Sequence, residues 1–368
     1  MRISDILKKN AKPAEPGPEK PEPRQVPSLI PQKQEAKKQV QPKPETNLAA
    51  VHLVSAEQPY SKAIIQIKYI LSNLRNNNSY NCDLSFINEF VDLLAARNSD
   101  LLLLADKATP DIYLYGHSVN VCVYSLLLGQ AAGLSRSELV KLGQCAFLHD
   151  IGMAKLLDTA LKTTKLTPME VANIRNHVKY SQELIGLLAG LDDTLKSLAV
   201  QVIAQTHERK NGSGYPLGLK DEEIHKFAAI ISITDTYEAI THPRAYRARL
   251  IPHEAVKNLI SGAGSDFDPL FVKLFVEHIS LYPPGTYVRL NSEEIARVLG
   301  INLGLPTRPR VKIIINSQGM KIFENKTVDL SSTPMLFVKE PVDETKLNLT
   351  DKKLALELKA MRWWVKGL

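Results

Sequence analysis

The residues of this sequence best suited to chemistry are histidines and aspartates that could together hold a metal cation. His149 and Asp150 are adjacent, at the end of an apolar run and just before Gly152. Four further residues with ligand side chains surround this pair along the chain: His117, His177, His207 and Asp235. Imidazole suits iron, zinc and copper, whereas carboxylate suits manganese, magnesium and iron, so the mixed set predicts an iron-, manganese- or zinc-type site.

The elements that must position these residues are predicted to be helices. Apolar residues recur at helical spacing through most of residues 50–280. His117 is expected early in one helix, and His149 at the end of the next, which a capping box of Ser135 and Glu138 opens. Helical bundles build metal sites from inward-pointing side chains of several helices, so the spacing predicts that the ligands converge in a core.

Three further helices carry the remaining ligands. Thr167 and Glu170 form a second predicted capping box, and the helix that they open is expected to continue through His177. A helix over residues 192–205 leads into His207, and one over residues 227–240 carries Asp235. Residues 84–104, which precede this region, predict one continuous helix.

The ends of the chain differ from this helical part. Prolines and charged residues dominate the first segment, which cannot bury enough apolar surface to fold and is expected to be disordered. Short strands are predicted after residue 283, at residues 286–290, 311–315 and 321–323. The predicted segments are a disordered tail (1–49), N-terminal helices (50–110), a metal-binding helical domain (111–282), a small β-rich appendage (283–345) and a C-terminal amphipathic helix (346–368).

Composition limits the classes of function and the compartment. The 368 residues carry a net charge of +7, but only 6% are aromatic and no RRM, KH or zinc-finger pattern is present, so a nucleic-acid polymer is not the expected partner. No apolar run approaches the roughly 20 residues that span a bilayer, and no signal peptide is recognisable. The three cysteines lack CxxC spacing, which is typical of a reducing compartment. A cytoplasmic protein is therefore expected.

Taken in order, these motifs resemble the HD-GYP family of cyclic di-GMP phosphodiesterases, which is part of the HD superfamily of metal-dependent phosphohydrolases. The resemblance covers roughly residues 80–329 and implies a mainly α fold, an HD-type all-helical bundle with a metal centre and a small C-terminal β appendage. It is carried by these stretches: Tyr113–Val121, Leu148–Gly152, His177–Val178, Thr206–Pro216, Thr234–Thr241, Arg244–Arg247 and Phe267–Pro269.

The resemblance also implies which role each site residue has. Two cations, usually iron or manganese, would be held, with a bridging water that attacks phosphorus, and His149 and Asp150 would be the catalytic residues. The implied ligands are His117, His149, Asp150 and Asp235 for the first cation, and Asp150, His177 and His207 for the second. Contacts to the nucleotide or to a partner are implied for Gly214, Tyr215, Pro216, Arg244 and Tyr246. A purely structural role for residues 214–216, as a stiff turn, is the alternative.

Three positions depart from the family pattern. Thr206 stands where the family has a second histidine, so one ligand of the second cation is missing. Met153 replaces a lysine that would neutralise phosphate charge, and Lys155 could compensate only if its stem bent back. Asn211 stands where aspartate is usual. The departures imply one firm and one weak site for iron or manganese, and impaired hydrolysis.

Three functions follow as hypotheses. The first is slow, metal-dependent hydrolysis of cyclic di-GMP to pGpG or GMP. The second is a catalytically degenerate module that binds cyclic di-GMP or a GGDEF-type signalling partner. The third is a phosphohydrolase for another nucleotide, because no residue identified here reads the base. A homodimer is a further expectation.

Overall fold

A computed structural model describes residues 55–106, 113–162, 164–242, 250–347, 352–354 and 358. The predicted disordered tail, residues 1–49, lies outside the described residues, as do Arg244 and Tyr246. Only six residues of the predicted C-terminal helix, 346–347, 352–354 and 358, are described. The fold is mainly α, with a small antiparallel sheet near the C-terminus, as the sequence predicts.

Apart from the short strands β1 and β2, the helices of the described residues come first along the chain and the strands follow, as the sequence pattern predicts. The helices are α1 (Glu57–Arg75), α2 (Phe86–Ala95), α3 (Ser99–Ala105), α4 (Tyr113–Ala131), α5 (Arg136–Leu148), α6 (Leu157–Ala160), α7 (Pro168–Ile174), α8 (His177–Leu184), α9 (Asp193–Ile203), α10 (Lys226–Thr241), α11 (Pro252–Ser261) and α12 (Pro269–Ile279). The strands are β1 (Tyr80–Asn81), β2 (Leu188–Ala189), β3 (Tyr287–Leu290), β4 (Ile295–Gly300), β5 (Arg310–Ile315), β6 (Thr327–Asp329) and β7 (Val338–Val342). A 3₁₀ helix, Ile151–Leu156, follows α5 directly.

Helix α4 is the centre of the helical body. It packs against α1, α2, α3, α5, α10 and α12, and apolar residues are buried around its whole circumference. A helix that is apolar all round is stable only when neighbours surround it. Consequently His117, which lies in the second turn of α4, is held in the core rather than at the surface.

Both predicted capping boxes are confirmed. The Ser135 side chain accepts from the Glu138 amide while the Glu138 carboxylate accepts from the Ser135 amide, and Thr167 and Glu170 repeat this pair. Each box satisfies two amides at a helix start that have no partner within the helix. The start of α5 is thereby fixed, and its length then determines where His149 falls.

Two helix predictions are wrong in extent. The expected continuous helix over residues 84–104 is broken between α2 and α3, because Arg97 has a left-handed φ of 56° and the Asn98 side chain caps α3 by accepting from the Asp100 amide. The helix opened by Thr167 ends at Ile174, and His177 instead begins the separate helix α8.

The C-terminal sheet has five antiparallel strands in the order β6-β5-β4-β3-β7. The predicted strand at residues 321–323 is wrong: Lys321 makes only an isolated bridge to Ile315. Three strands, β4, β6 and β7, are not indicated by the sequence prediction. Leu354 and Leu358 are buried against one face of this sheet, which agrees with a terminal helix that docks on its own domain.

No helix in the described part of the chain has both the length and the apolar character that a bilayer crossing requires.

Candidate metal centre

Five segments bring the predicted ligands to one place in the helical body. His117 comes from α4, His149 and Asp150 from the end of α5 and the residue after it, His177 from the first position of α8, His207 from the turn after α9, and Asp235 from α10. The side chains line or adjoin a cavity of 260 Å³. Three of the imidazoles, those of residues 117, 149 and 177, are buried.

A first group of ligand atoms comes from His117, His149 and Asp150, and these atoms lie within 4.8 Å of one another. The Nε2 atom of His117 is 3.5 Å from Oδ2 of Asp150, and Nε2 of His149 is 3.5 Å from Oδ1 of the same carboxylate. Asp235 adjoins this group, with its Oδ1 atom 3.3 Å from Nε2 of His117.

A second group is formed by Asp150, His177 and His207, also within 4.8 Å. Nε2 of His177 is 3.1 Å from Oδ1 of Asp150 and 2.8 Å from Nε2 of His207. Oδ2 of Asp235 is 3.6 Å from Nδ1 of His207, so Asp235 reaches an imidazole of each group rather than of the first alone. Asp150 is common to both groups.

The hydrogen bonds of the imidazoles test whether these groups fit a cation. Nδ1 of His149 is 2.7 Å from the Ala146 carbonyl oxygen, and Nδ1 of His177 is 2.7 Å from that of Ile174. A carbonyl accepts only from a protonated Nδ1, which leaves the Nε2 lone pair free towards the centre. Nε2 of His149 and Oδ1 of Asp150 are buried without a hydrogen-bond partner among the described residues. Buried acceptors without a partner are costly, and a bound cation would satisfy both, so the residues fit a metal.

Charges in the centre favour the metal-binding forms of Asp150 and His207, but not of every imidazole. Burial raises the pKa of the Asp150 carboxyl, but the charges of His149 and His177 outweigh burial and hold that pKa well below its usual value. Burial, with the charge of His177, lowers the pKa of His207 to about 3. The carboxylate is therefore ionised and His207 is neutral, which are the states that a cation requires. Burial lowers the pKa of His177, but the Asp150 charge outweighs burial and raises it, so a cation would displace a proton from this imidazole.

Glu238 has a role that the sequence interpretation missed. Its Oε2 atom forms a short contact with Nδ1 of His117, and its Oε1 atom accepts from the Asn120 amide at 3.1 Å. Burial opposes ionisation of Glu238, but the charges of His242 and His117 lower its pKa to about 2. A carboxylate behind a metal-binding imidazole fixes its orientation and raises its basicity. The signal in the sequence was the spacing, since Glu238 lies three residues after Asp235 on the same helix face.

Glu238→Gln is therefore expected to weaken metal binding by about 10- to 100-fold, because the amide cannot supply the negative charge behind His117. Metal affinity measured by competition with a chromophoric chelator would show this change. Glu183→Gln, at an exposed position of α8, is the matched control and should leave the affinity unaltered. Equal affinities for the wild type and Glu238→Gln would remove Glu238 from the centre.

The three departures from the family pattern lie in different surroundings. Met153 is buried and lines the cavity beside the ligands. The Thr206 hydroxyl lies in the turn after α9, donates at 3.0 Å to the carbonyl of Ile203, the last residue of that helix, and is turned to the backbone. Asn211 is exposed and stabilises its own loop, with its Oδ1 atom accepting from the Ser213 amide at 2.9 Å. Lys155 does not compensate for Met153, because its Nζ atom donates to the Asn77 side chain at 2.5 Å.

The predicted loop, residues 214–216, contributes one side chain to the cavity lining. The Tyr215 ring stacks on that of His207 with centroids 4.9 Å apart and planes 8° from parallel. Gly214 packs directly on the Glu208 backbone, where a Cβ atom would collide with it. The buried Glu208 carboxylate accepts from the amides of the three residues after Pro216. Gly214 therefore has a structural explanation, and Pro216 is not among the lining residues.

Arg209 is a second residue that the sequence interpretation missed. Arg209 is one of the residues that line the cavity, and its Nη1 atom donates to Oγ of Ser232 at 2.7 Å and to the Glu208 carbonyl at 3.1 Å. The Arg209 guanidinium lies 5.1 Å from the centre of the Phe267 ring. Arg209 is the cationic side chain, apart from the histidines, among the residues found to line this cavity. In the sequence Arg209 directly follows Glu208, and no pattern there indicated that Arg209 belongs to the site.

Comparison with known proteins gives consistent matches over the same region. A family model described as "HD domain" matches residues 92–270, and one described as "KOW domain associated with HD domain" matches residues 287–350. A cyclic di-GMP phosphodiesterase of Pseudomonas aeruginosa is 32% identical over 254 residues, which are 67% of this chain and 60% of that protein. A 3'3'-cGAMP-specific phosphodiesterase of Vibrio cholerae is 30% identical over 54% of this chain and 38% of that protein.

A solved structure of an HDG"Y"P protein from Bdellovibrio bacteriovorus is also similar, with 17% identity, a TM-score of 0.48, and coverage of 60% of this chain and 70% of that chain. The chain spans less than two thirds of the length of either curated relative.

Proposed function

Because residues 92–270 belong to the HD domain family, we propose that this chain is a metal-dependent phosphodiesterase that hydrolyses cyclic di-GMP to pGpG or GMP. The observation that carries the proposal is the pair of ligand groups that share Asp150, with buried Nε2 and Oδ1 atoms that have no other partner among the described residues. The names of the curated relatives supply the substrate class.

Each site residue has a distinct task in this proposal. His117, His149 and Asp150 would hold one cation firmly, and Asp150, His177 and His207 a second one weakly, with Asp235 adjoining both groups. A bound iron or manganese would supply a water of lowered pKa and stabilise charge on the phosphate oxygens. Glu238 keeps His117 oriented. Arg209 would bind a phosphate oxygen through the guanidinium edge that Ser232 and Glu208 leave free.

Two observations support impaired rather than full activity. Met153 presents a thioether to the cavity where a cation would help to bind phosphate, and Lys155 is bound elsewhere. The Thr206 hydroxyl donates to a carbonyl at the end of α9 and does not replace an imidazole ligand. The same two observations favour the alternative, a degenerate module that binds cyclic di-GMP or a GGDEF-type protein. The Vibrio relative favours a second alternative, hydrolysis of 3'3'-cGAMP.

A turnover assay separates these alternatives. The full chain, loaded with manganese or iron and incubated with cyclic di-GMP or 3'3'-cGAMP in parallel, is expected to convert the first more rapidly, to a linear product detected by chromatography. Faster turnover of 3'3'-cGAMP would replace the proposed substrate. Binding of either nucleotide without hydrolysis, at full metal occupancy, would establish the degenerate module instead.

The purified chain is expected to retain close to one tightly held transition metal. Thr206 offers no ligand to the second group, so the cation held by that group should dissociate during purification. Elemental analysis against protein concentration gives the ratio directly. Two tightly held metals per chain would show that the second group is complete without a ligand at position 206.

A further inference from the structure

We propose that the cleft between the helical body and the C-terminal sheet binds a phosphate-bearing ligand of nucleotide size. This cleft has a volume of 690 Å³, compared with 260 Å³ for the cavity at the metal centre, and the two share no lining residue. Its walls come from the α2–α3 turn, the end of α4, α12 and the end of β4. The inference does not depend on hydrolysis of cyclic di-GMP.

The cleft is distant from the metal centre along the helix that joins them. Leu127 of α4 lines the cleft and His117 of the same helix lines the metal cavity. Ten helical residues separate them, which corresponds to about 15 Å at 1.5 Å per residue. A ligand in the cleft would therefore not touch the metal ligands, but it would contact the helix that carries His117.

Two arginines give the cleft its charge. Neither the Arg97 nor the Arg310 guanidinium forms an ion pair within the part of the chain that the structure describes. The acidic lining residue Asp329 lies opposite Arg310 in the β5–β6 pair, and hydrogen bonds from Ser331, together with the Arg310 charge, lower the pKa of its carboxyl. It forms no ion pair with Arg310 among the described residues, and its Oδ1 atom accepts from the Asn302 amide at 2.8 Å and from the Ser331 hydroxyl at 2.6 Å. Two arginines and one aspartate give the lining one more positive than negative charge, histidine not counted, which favours an anion. Phosphate matches the planar donor edge of a guanidinium.

Arg97 has an unusual backbone conformation, and a glycine lies beside the Arg310 guanidinium. Arg97 has a φ of 56°, at the end of α2 where glycine or asparagine would be relaxed. Strained backbone of this kind is concentrated at ligand sites, because there the strained conformation serves a purpose. Gly300 of β4 lies under the Arg310 guanidinium, and a Cβ atom at Gly300 would be 2.7 Å from Nη2 of Arg310. The glycine thus gives the guanidinium room at the cleft.

Size and wall composition indicate more than a bare anion. Small-molecule sites typically have volumes of about 300–1,000 Å³, apolar walls and a few fixed polar groups, and they often lie between domains. Here the apolar walls include Leu94, Leu102 and Leu127, and the amides of Asn302 and Gln130 add polar groups. The two guanidinium groups would bind the phosphate, and the apolar walls would cover a base or another ring.

Calorimetric titration of the full chain with GMP tests the proposal. To remove binding at the metal centre, the titration is repeated in Asp150→Asn, where one binding event is expected to remain. Arg310→Gln should weaken that event about tenfold or more, because a hydrogen bond to a charged group is lost. Lys141→Gln, which removes an exposed charge from α5 outside the cleft, is the matched control and should bind GMP as the wild type does.

Arg97→Gly separates binding from folding. Glycine adopts positive φ without strain, so this variant should be at least as heat-stable as the wild type and still lose GMP affinity about tenfold. Inorganic phosphate should bind more weakly than GMP, since it leaves the apolar walls uncovered. If Asp150→Asn shows no GMP binding, or if both arginine variants bind GMP with unchanged affinity, the proposal is overturned. Equal affinities for phosphate and GMP would overturn the role of the apolar walls.

Discussion

Asp150→Asn is expected to remove the tightly held metal, to prevent binding of the second, and to reduce phosphodiester hydrolysis by about 10³-fold or more. Asp150 is the residue common to the two ligand groups, and its Oδ1 atom is buried without a hydrogen-bond partner among the described residues. Charge stabilisation by a metal contributes several kcal/mol to such a reaction, and each 1.4 kcal/mol is about tenfold in rate. Metal content by elemental analysis and turnover of cyclic di-GMP should fall together.

The control for this variant is Asp193→Asn, an exposed position in the first turn of α9. It should retain the metal and the wild-type rate. Asp150→Asn should remain folded, since the amide has the shape of the carboxylate and can hydrogen-bond to the imidazoles of His149 and His177 that face it. Full metal content in a folded Asp150→Asn protein would show that the two groups do not share this ligand, and would contradict the proposed centre.

Arg209→Met is expected to lower the rate of hydrolysis by about 10²–10³-fold, the usual cost of removing one group that stabilises the reacting charge. Arg209 supplies the positive charge of the cavity lining in this chain, because position 153 is a methionine and Lys155 donates to Asn77. The thioether chain of methionine retains the packing against Phe267. Metal content should not change, because Arg209 holds no metal.

A second substitution distinguishes lost charge from lost structure. Met153→Lys, introduced together with Arg209→Met, places a cation in the lining of the same cavity and should recover part of the lost rate. Met153→Leu keeps the volume without the charge and should recover none. If Arg209→Met hydrolyses cyclic di-GMP as rapidly as the wild type, phosphate is bound by other groups and the explanation of impaired activity through position 153 also fails.

Local sequence signals predicted those parts of the fold that depend on neighbouring residues. The two capping boxes begin α5 and α7 at the predicted positions, because both partners of each box lie three residues apart. Helix α4 was predicted from its apolar residues and ends before Gly133, whose φ is positive. The residues suited to metal binding were also recognisable, since imidazole and carboxylate side chains are identified by type alone.

The wrong predictions concern features that distant contacts decide. The helix breaks at Arg97 because this residue has a left-handed backbone conformation. Sequence patterns predict that conformation at glycine or asparagine and not at arginine. The β4, β6 and β7 strands are short, and pairing across the sheet stabilises them more than intrinsic preference does. The hydrogen-bond partner of Lys155, Asn77, depends on packing between segments that are far apart in the sequence. The hydrogen-bond partner of Thr206 depends on the backbone geometry at the end of α9.

The sequence by itself determined the helical class, the ligand types and their order along the chain, because periodicity, capping and side-chain chemistry are local properties. The tertiary structure decided that Asp235 reaches both ligand groups, that Glu238 supports His117, and that Arg209 is the arginine in the cavity lining. These relations join side chains from helices up to about 120 residues apart, and their distances follow from how the helices pack. Spacing along a chain fixes which face of a helix a residue occupies, but only packing fixes what that face meets.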